Sequence, residues 1–102
     1  MANSVKWKTY EFQILKMDDT TWNAVGGVYI FTGIRENVWR PFYVGQTDSF
    51  KNRMPSHERW DEARILGATH VHAMSVQQAV NRDAIERDLI QSFNPLLNAQ
   101  HK

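Results

Sequence analysis

The chain has no cysteine, no long apolar run and no excess of charge of either sign. Each absence removes a class of answer. Without cysteine there is no disulfide framework and no thiolate metal site. Without an apolar leader core or a span of about 20 apolar residues, neither secretion nor membrane insertion is expected, and the default is a soluble, cytoplasmic chain, nucleoid-associated if the source is prokaryotic. Twelve basic and eleven acidic residues leave a formal charge of +1, so overall electrostatics do not imply nucleic acid and any basic footprint must be local. The 102 residues read as one domain, 1–102, able to bury roughly two-thirds of its unfolded surface in a single core.

What the chain does have is a pair of apolar, β-prone runs. Gly26-Gly27-Val28-Tyr29-Ile30-Phe31 and Pro41-Phe42-Tyr43-Val44-Gly45 flank a polar interruption, Thr32 to Arg40, that contains Glu36, Asn37 and Trp39. They read as antiparallel strands joined by that loop. Alternation places Tyr29 and Phe31 on one face of the first, and Tyr43 and Gly45 on one face of the second, so two phenols can stand side by side. Pro41 cannot donate to a ladder and belongs at the strand's start or on an unpaired edge.

Around this pair the expected architecture is α+β: a small antiparallel sheet of three core strands, with one extra N-terminal strand, flanked by helices. Residues 1–4 should fray, and Tyr10, Phe12 and Ile14 alternate with Glu11 and Gln13 as in a half-buried strand. Lys6, Lys8 and Lys16 read as a solvated face. Asp18-Asp19-Thr20-Thr21 is a turn or cap. Thr47, Asp48 or Ser49 can cap a helix that Pro55 complicates: either Arg53 and His57 share one helical face, or the helix breaks and a second begins at Pro55, so that their meeting depends on tertiary packing. Gly67 ends the helical segment. Thr69–Ser75 alternates as a third strand with His70 and His72 on one face, a pair that invites a zinc reading but has no third ligand nearby and reads better as strand-surface histidines. A helix from about Val76 to Phe93 is stopped by Asn94-Pro95 and carries Glu86 at the margin of an apolar stripe. Such a carboxylate either pairs with Arg82 or Arg53, or holds a cation.

Tyr29, Tyr43, Arg53, His57, Glu86 and Asn98 occur in that order. With Gly27-Val28-Tyr29 for the first tripeptide and Tyr43-Val44-Gly45 for the second, the chain resembles the GIY-YIG nuclease superfamily from Gly26 to Asn98, with valine for both central isoleucines. Residues 1–25 have no counterpart in the motif. The resemblance implies a divalent-metal-dependent endonuclease acting on DNA, RNA not excluded, with Mg²⁺ or Mn²⁺ on Glu86 and phosphate on Arg53. It makes Tyr29 the base for the attacking water, with His57 relaying the proton or taking it itself. Tyr43 would bond the scissile phosphate, and Asn98 would orient either the last segment or a phosphate oxygen.

The residue chemistry suits that role. A hard cation keeps most of its waters and uses one or two carboxylates, a guanidinium grips phosphate with two prongs, and a histidine titrates near neutrality. Tyrosine is the difficulty, since forming a phenolate at pH 7 from a pKa of about 10 costs on the order of 4 kcal/mol. So small a core has few residues left to read bases, so cleavage should be directed by DNA structure, a partner protein or a second copy. The alternatives are a nucleic-acid-binding module with little turnover, and a packing domain whose tyrosines are merely core.

Overall fold

A computed structural model describes residues 3–18 and 20–99. Residues 1 and 2, Asp19 of the expected turn, and residues 100–102 lie outside the described set. Five strands, β1 (Ser4–Trp7), β2 (Tyr10–Leu15), β3 (Gly27–Arg35), β4 (Val38–Thr47) and β5 (His70–Ser75), form one sheet in the order β1-β2-β5-β3-β4. Every neighbouring pair is antiparallel. The expected three core strands and N-terminal strand are present as β3, β4, β5 and β2. β1 was not anticipated: Ser4, expected to fray, pairs with Gln13, and Lys8 at φ 60° turns the chain so that Trp7 meets Tyr10.

The long loop expected between the two motif strands is not there. β3 runs on to Arg35, and the hairpin closes through Glu36 and Asn37 alone, at φ 55° and 65°. Two consecutive left-handed residues make a type I′ turn, whose twist matches that of the strands it joins. The polar residues Thr32 and Arg40 therefore belong to the ladder, Thr32 being fully buried. Pro41 sits inside β4 at a bulge, where the register passes from Phe31↔Tyr43 to Thr32↔Pro41. β4 is an edge strand, so the missing N–H costs no ladder bond on its outer side.

The helices divide between the two sheet faces. On one face Tyr29, Phe31, Val71 and Ala73 lie under Phe50 of α1 (Phe50–Arg53), Trp60 and Ala63 of α2 (Glu58–Leu66) and Leu97 of α4 (Leu96–Ala99). On the other, Val28, Ile30 and Val44 pack with Trp7, Phe12 and Leu89 of α3 (Ala79–Phe93). α3 starts three residues later than the sequence suggested and ends as expected, at Asn94 in the left-handed region before Pro95. Lys8, expected to be solvated, donates to Asp88 at 2.7 Å, and Tyr10 donates to the same carboxylate at 2.8 Å, tying the N-terminal hairpin to α3. No helix among the described residues is long and apolar enough to cross a membrane.

His70 and His72 do share a face, but His72 is a core residue and not a surface one. Its Nδ1 accepts the indole N–H of Trp7 at 2.9 Å, and the Trp39 ring stands nearly perpendicular at 4.4 Å. Burial holds its pKa down to about 4, so it is a neutral acceptor in the fold. Trp7→Phe should leave that buried acceptor unpaired and cost about 1–3 kcal/mol. A urea midpoint unchanged from the parent would show that the bond does not hold β1 to the sheet.

Candidate active site

The site begins with one residue that lacks bulk. Tyr29 is opposite Gly45 across the β3–β4 pair, and Phe31 is opposite Tyr43. A Cβ on Gly45 would lie 2.5 Å from the Tyr29 hydroxyl and 2.9 Å from Tyr43 Cε2. The glycine therefore leaves the space in which the two phenols sit, their ring centroids 6.3 Å apart.

Pro55 supplies the second condition. It interrupts the helix after Arg53, so that α1 passes into a 3₁₀ turn, Met54–Ser56, and His57 takes an extended conformation (φ −74°, ψ 119°) as the N-cap of α2. Arg53 and His57 do not share a helical face; packing brings them together. As cap, His57 accepts the Arg59 backbone N–H on Nδ1 at 3.0 Å. A neutral ring that accepts on Nδ1 carries its proton on Nε2. That nitrogen is 2.6 Å from the Tyr29 hydroxyl oxygen, so the histidine donates and the phenol oxygen accepts. His57 is 5% exposed, and burial, seconded by the Arg53 charge, lowers its pKa to about 4.

The remaining groups close round this bond. Tyr29 is buried, which raises its pKa, as does Tyr43, while Arg53 works in the opposite sense. Tyr43 is half-buried and shifted upward by burial and then by Glu86. Both prongs of Arg53 are engaged by Glu58, at 2.8 and 2.9 Å, so Arg53 is not the partner of Glu86. Nor is Arg82, which is buried and directs its guanidinium to the carbonyls of Val76 and Gln77 and to the side-chain oxygen of Gln46. Glu86 accepts instead from the Gln46 amide at 3.2 Å, an amide shared with Asp83. Burial raises its pKa. Asn98 donates to the Val44 carbonyl and accepts the Val44 N–H, each at 2.8 Å, so both halves of its amide are committed to clamping α4 on the β4 edge.

The sequence missed Gln46 and Glu58. Neither belongs to the motif, and only their reach to Glu86 and Arg53 marks them. No group of three or more His, Asp or Glu that could hold a metal together occurs among the described residues. Glu86 nonetheless fits Mg²⁺: it is one half-buried carboxylate with a neutral amide as partner, and such an ion retains most of its waters.

No family model and no curated protein matches the chain. Among solved structures, the GIY-YIG N-terminal endonuclease domain of UvrC from Thermotoga maritima, bound to its catalytic divalent cation magnesium, is similar at a TM-score of 0.60 and 22% identity, over 74% of this chain and 84% of that one. Two point-mutant forms of the same domain, also with the catalytic divalent cation, give TM-scores of 0.60 and 0.58 at 22% identity, over 74% of this chain and 83% of each. The α+β fold of this chain is the fold of that domain.

Two outcomes follow from this geometry. Gly45→Ala forces its methyl group against a hydroxyl that His57 already holds, and overpacking of this kind costs about 1–3 kcal/mol; a variant that melts with the parent would show that Tyr29 has room to move. The second concerns pH. His57 and His72 stay neutral in the fold down to about pH 4, whereas unfolded histidine takes up a proton below about 6.5. Their stabilisation is therefore complete above pH 6.5 and is lost as the pH falls toward 4, with a slope of at most about 2.7 kcal/mol per pH unit for the two together. Glu86, shifted upward, acts with the opposite sign. Denaturation midpoints that stay flat between pH 6.5 and 5 would contradict this assignment.

Proposed function

We propose that this chain is a divalent-metal-dependent endonuclease that hydrolyses phosphodiester bonds in DNA, directed by DNA structure or by a partner. The observation that carries the reading is the buried Tyr29 phenol held at 2.6 Å by a neutral histidine N–H, beside an arginine. A tyrosine that merely packs needs no such company. The fold it shares with an endonuclease domain supports the reading.

In this mechanism Tyr29 first loses its phenol proton to solvent and then, as phenolate, takes the proton of the attacking water. Burial opposes its ionisation; the His57 N–H and the Arg53 charge favour it, because both interact more strongly with phenolate than with phenol. His57 acts as donor to the phenol oxygen. With its proton on Nε2 and Nδ1 engaged by Arg59, it presents no lone pair to Tyr29, which favours this donor role over the relay or base role that the resemblance implies. Arg53 grips the phosphate with two prongs and balances charge that grows in the transition state. Tyr43 bonds a phosphate oxygen. Asn98 acts at a distance, by fixing α4 to β4 at Val44, the residue next to Tyr43. Glu86 would hold Mg²⁺ or Mn²⁺, and the ion would supply Lewis-acid polarisation of the phosphate and charge stabilisation for the leaving oxygen.

Purified protein incubated with plasmid and with branched DNA, with Mg²⁺ or with chelator, tests the reading directly. Cleavage should appear only with the metal; its absence on every DNA would favour the binding-module alternative. Tyr29→Phe should slow cleavage about 10²–10⁴-fold with the fold intact, the range for loss of a general base, and near-parental turnover would reassign the base. Glu86→Gln should abolish calorimetric Mg²⁺ binding while the melting temperature holds or rises, since a desolvated carboxylate is relieved. Unaltered Mg²⁺ affinity in that variant would remove Glu86 from the metal site.

A further inference from the structure

The two prongs that the proposed function assigns to phosphate are already filled. Arg53 Nη1 donates to one Glu58 oxygen at 2.8 Å and Nη2 to the other at 2.9 Å. This is the fork-to-fork geometry in which a guanidinium binds a phosphodiester's two free oxygens. We propose that Glu58 is a built-in competitor for the phosphate grip, a carboxylate that occupies Arg53 until nucleic acid displaces it and that thereby sets the affinity threshold for substrate. The inference rests on the nuclease reading of Arg53.

Position and exposure make the displacement feasible. Glu58 is the first residue of α2, directly after the His57 cap, so its backbone is fixed by the same break that orients the histidine. Its side chain is 64% exposed against 35% for Arg53, so its carboxylate is already largely in water. Arg53 holds its carboxyl down to about 2, so protonation does not release it at working pH. A competing anion does. Glu58 also lines a cleft with Asp18 and Asp61, whose charge disfavours a lone small anion; a strand that brings several phosphates at once overcomes the threshold more readily.

The measurement is affinity for a labelled branched DNA in chelator and low salt, for the parent and four variants. Glu58→Gln should bind about three- to five-fold more tightly, the worth of one exposed ion pair, and the gain should shrink as added salt screens it. On an Arg53→Ala background the same substitution should give no gain. Glu62→Gln, which removes a carboxylate of the same helix that is bonded to Arg59, should not reproduce it. Equal affinity of parent and Glu58→Gln, where Arg53→Ala weakens binding, overturns the inference and leaves the nuclease reading standing. An equal gain from Glu62→Gln reduces the effect to general charge and overturns it too. If Arg53→Ala binds as the parent does, Arg53 grips no phosphate and both fall. Should Glu58→Gln not fold, Glu58→Asp, too short to fill both prongs, carries the same comparison.

Discussion

The hydrogen bond between Tyr29 and His57 depends on a break in the backbone more than on either ring. A continuous helix from Phe50 onward would spend the Arg59 N–H on a carbonyl and place His57 four residues from Arg53 on one face. Pro55 prevents this, and the extended His57 must then cap the next helix with its own side chain. The cap consumes Nδ1 and so leaves the proton on Nε2, facing the phenol. The same junction makes Glu58 the first residue of α2 and brings it to Arg53. One proline thus sets the tautomer of the histidine, the direction of its hydrogen bond and the partner of the arginine.

Burial then decides which groups are charged. The phenols are pushed toward their neutral form and so is His57, while Arg53 and Glu58 hold each other ionised. The rings packed around Tyr29 are thus neutral, and the cationic Arg53 is matched by an exposed anion. In the proposed mechanism phosphate would replace Glu58 on Arg53 with the pair's charge balance preserved.

Much of this was legible in the sequence because it rests on alternation and on punctuation. Period two put Tyr29 and Tyr43 on one face, Gly67 and Asn94-Pro95 ended helices where expected, and Pro55 marked where a break could fall without deciding that it did. The errors have local causes. Thr32 to Arg40 looked like a loop because it is polar, yet Glu36 and Asn37 at positive φ suffice to turn the chain, and Thr32 is buried with its hydroxyl donating to the His70 carbonyl. β1 was hidden because Val5 and Trp7 are only two apolar positions among lysines. His72 read as a surface residue because its partner, Trp7, is 65 residues away in sequence. Contacts that depend on such separations, Gln46 with Glu86 and Asn98 with Val44 among them, leave no periodic trace.

Glu86 shows what three-dimensional placement adds to a motif. Its position on an apolar margin allowed a salt bridge to Arg82 or Arg53, and either would have made it a structural residue. Both arginines are turned elsewhere. Gly26 leaves room for the Arg82 guanidinium, which a Cβ there would approach to 2.7 Å, and the freed charge goes to two backbone carbonyls and the Gln46 oxygen. Gln46 passes on only a neutral N–H, divided between Glu86 and Asp83. No ion pair to Glu86 occurs among the described residues, so a half-buried carboxylate is held in place beside a second one without a bonded cation. Such an arrangement is unfavourable by itself and becomes favourable when a positive ion binds. The stability it withholds from the free protein would be available as affinity for that ion, which is what the proposed role of Glu86 requires.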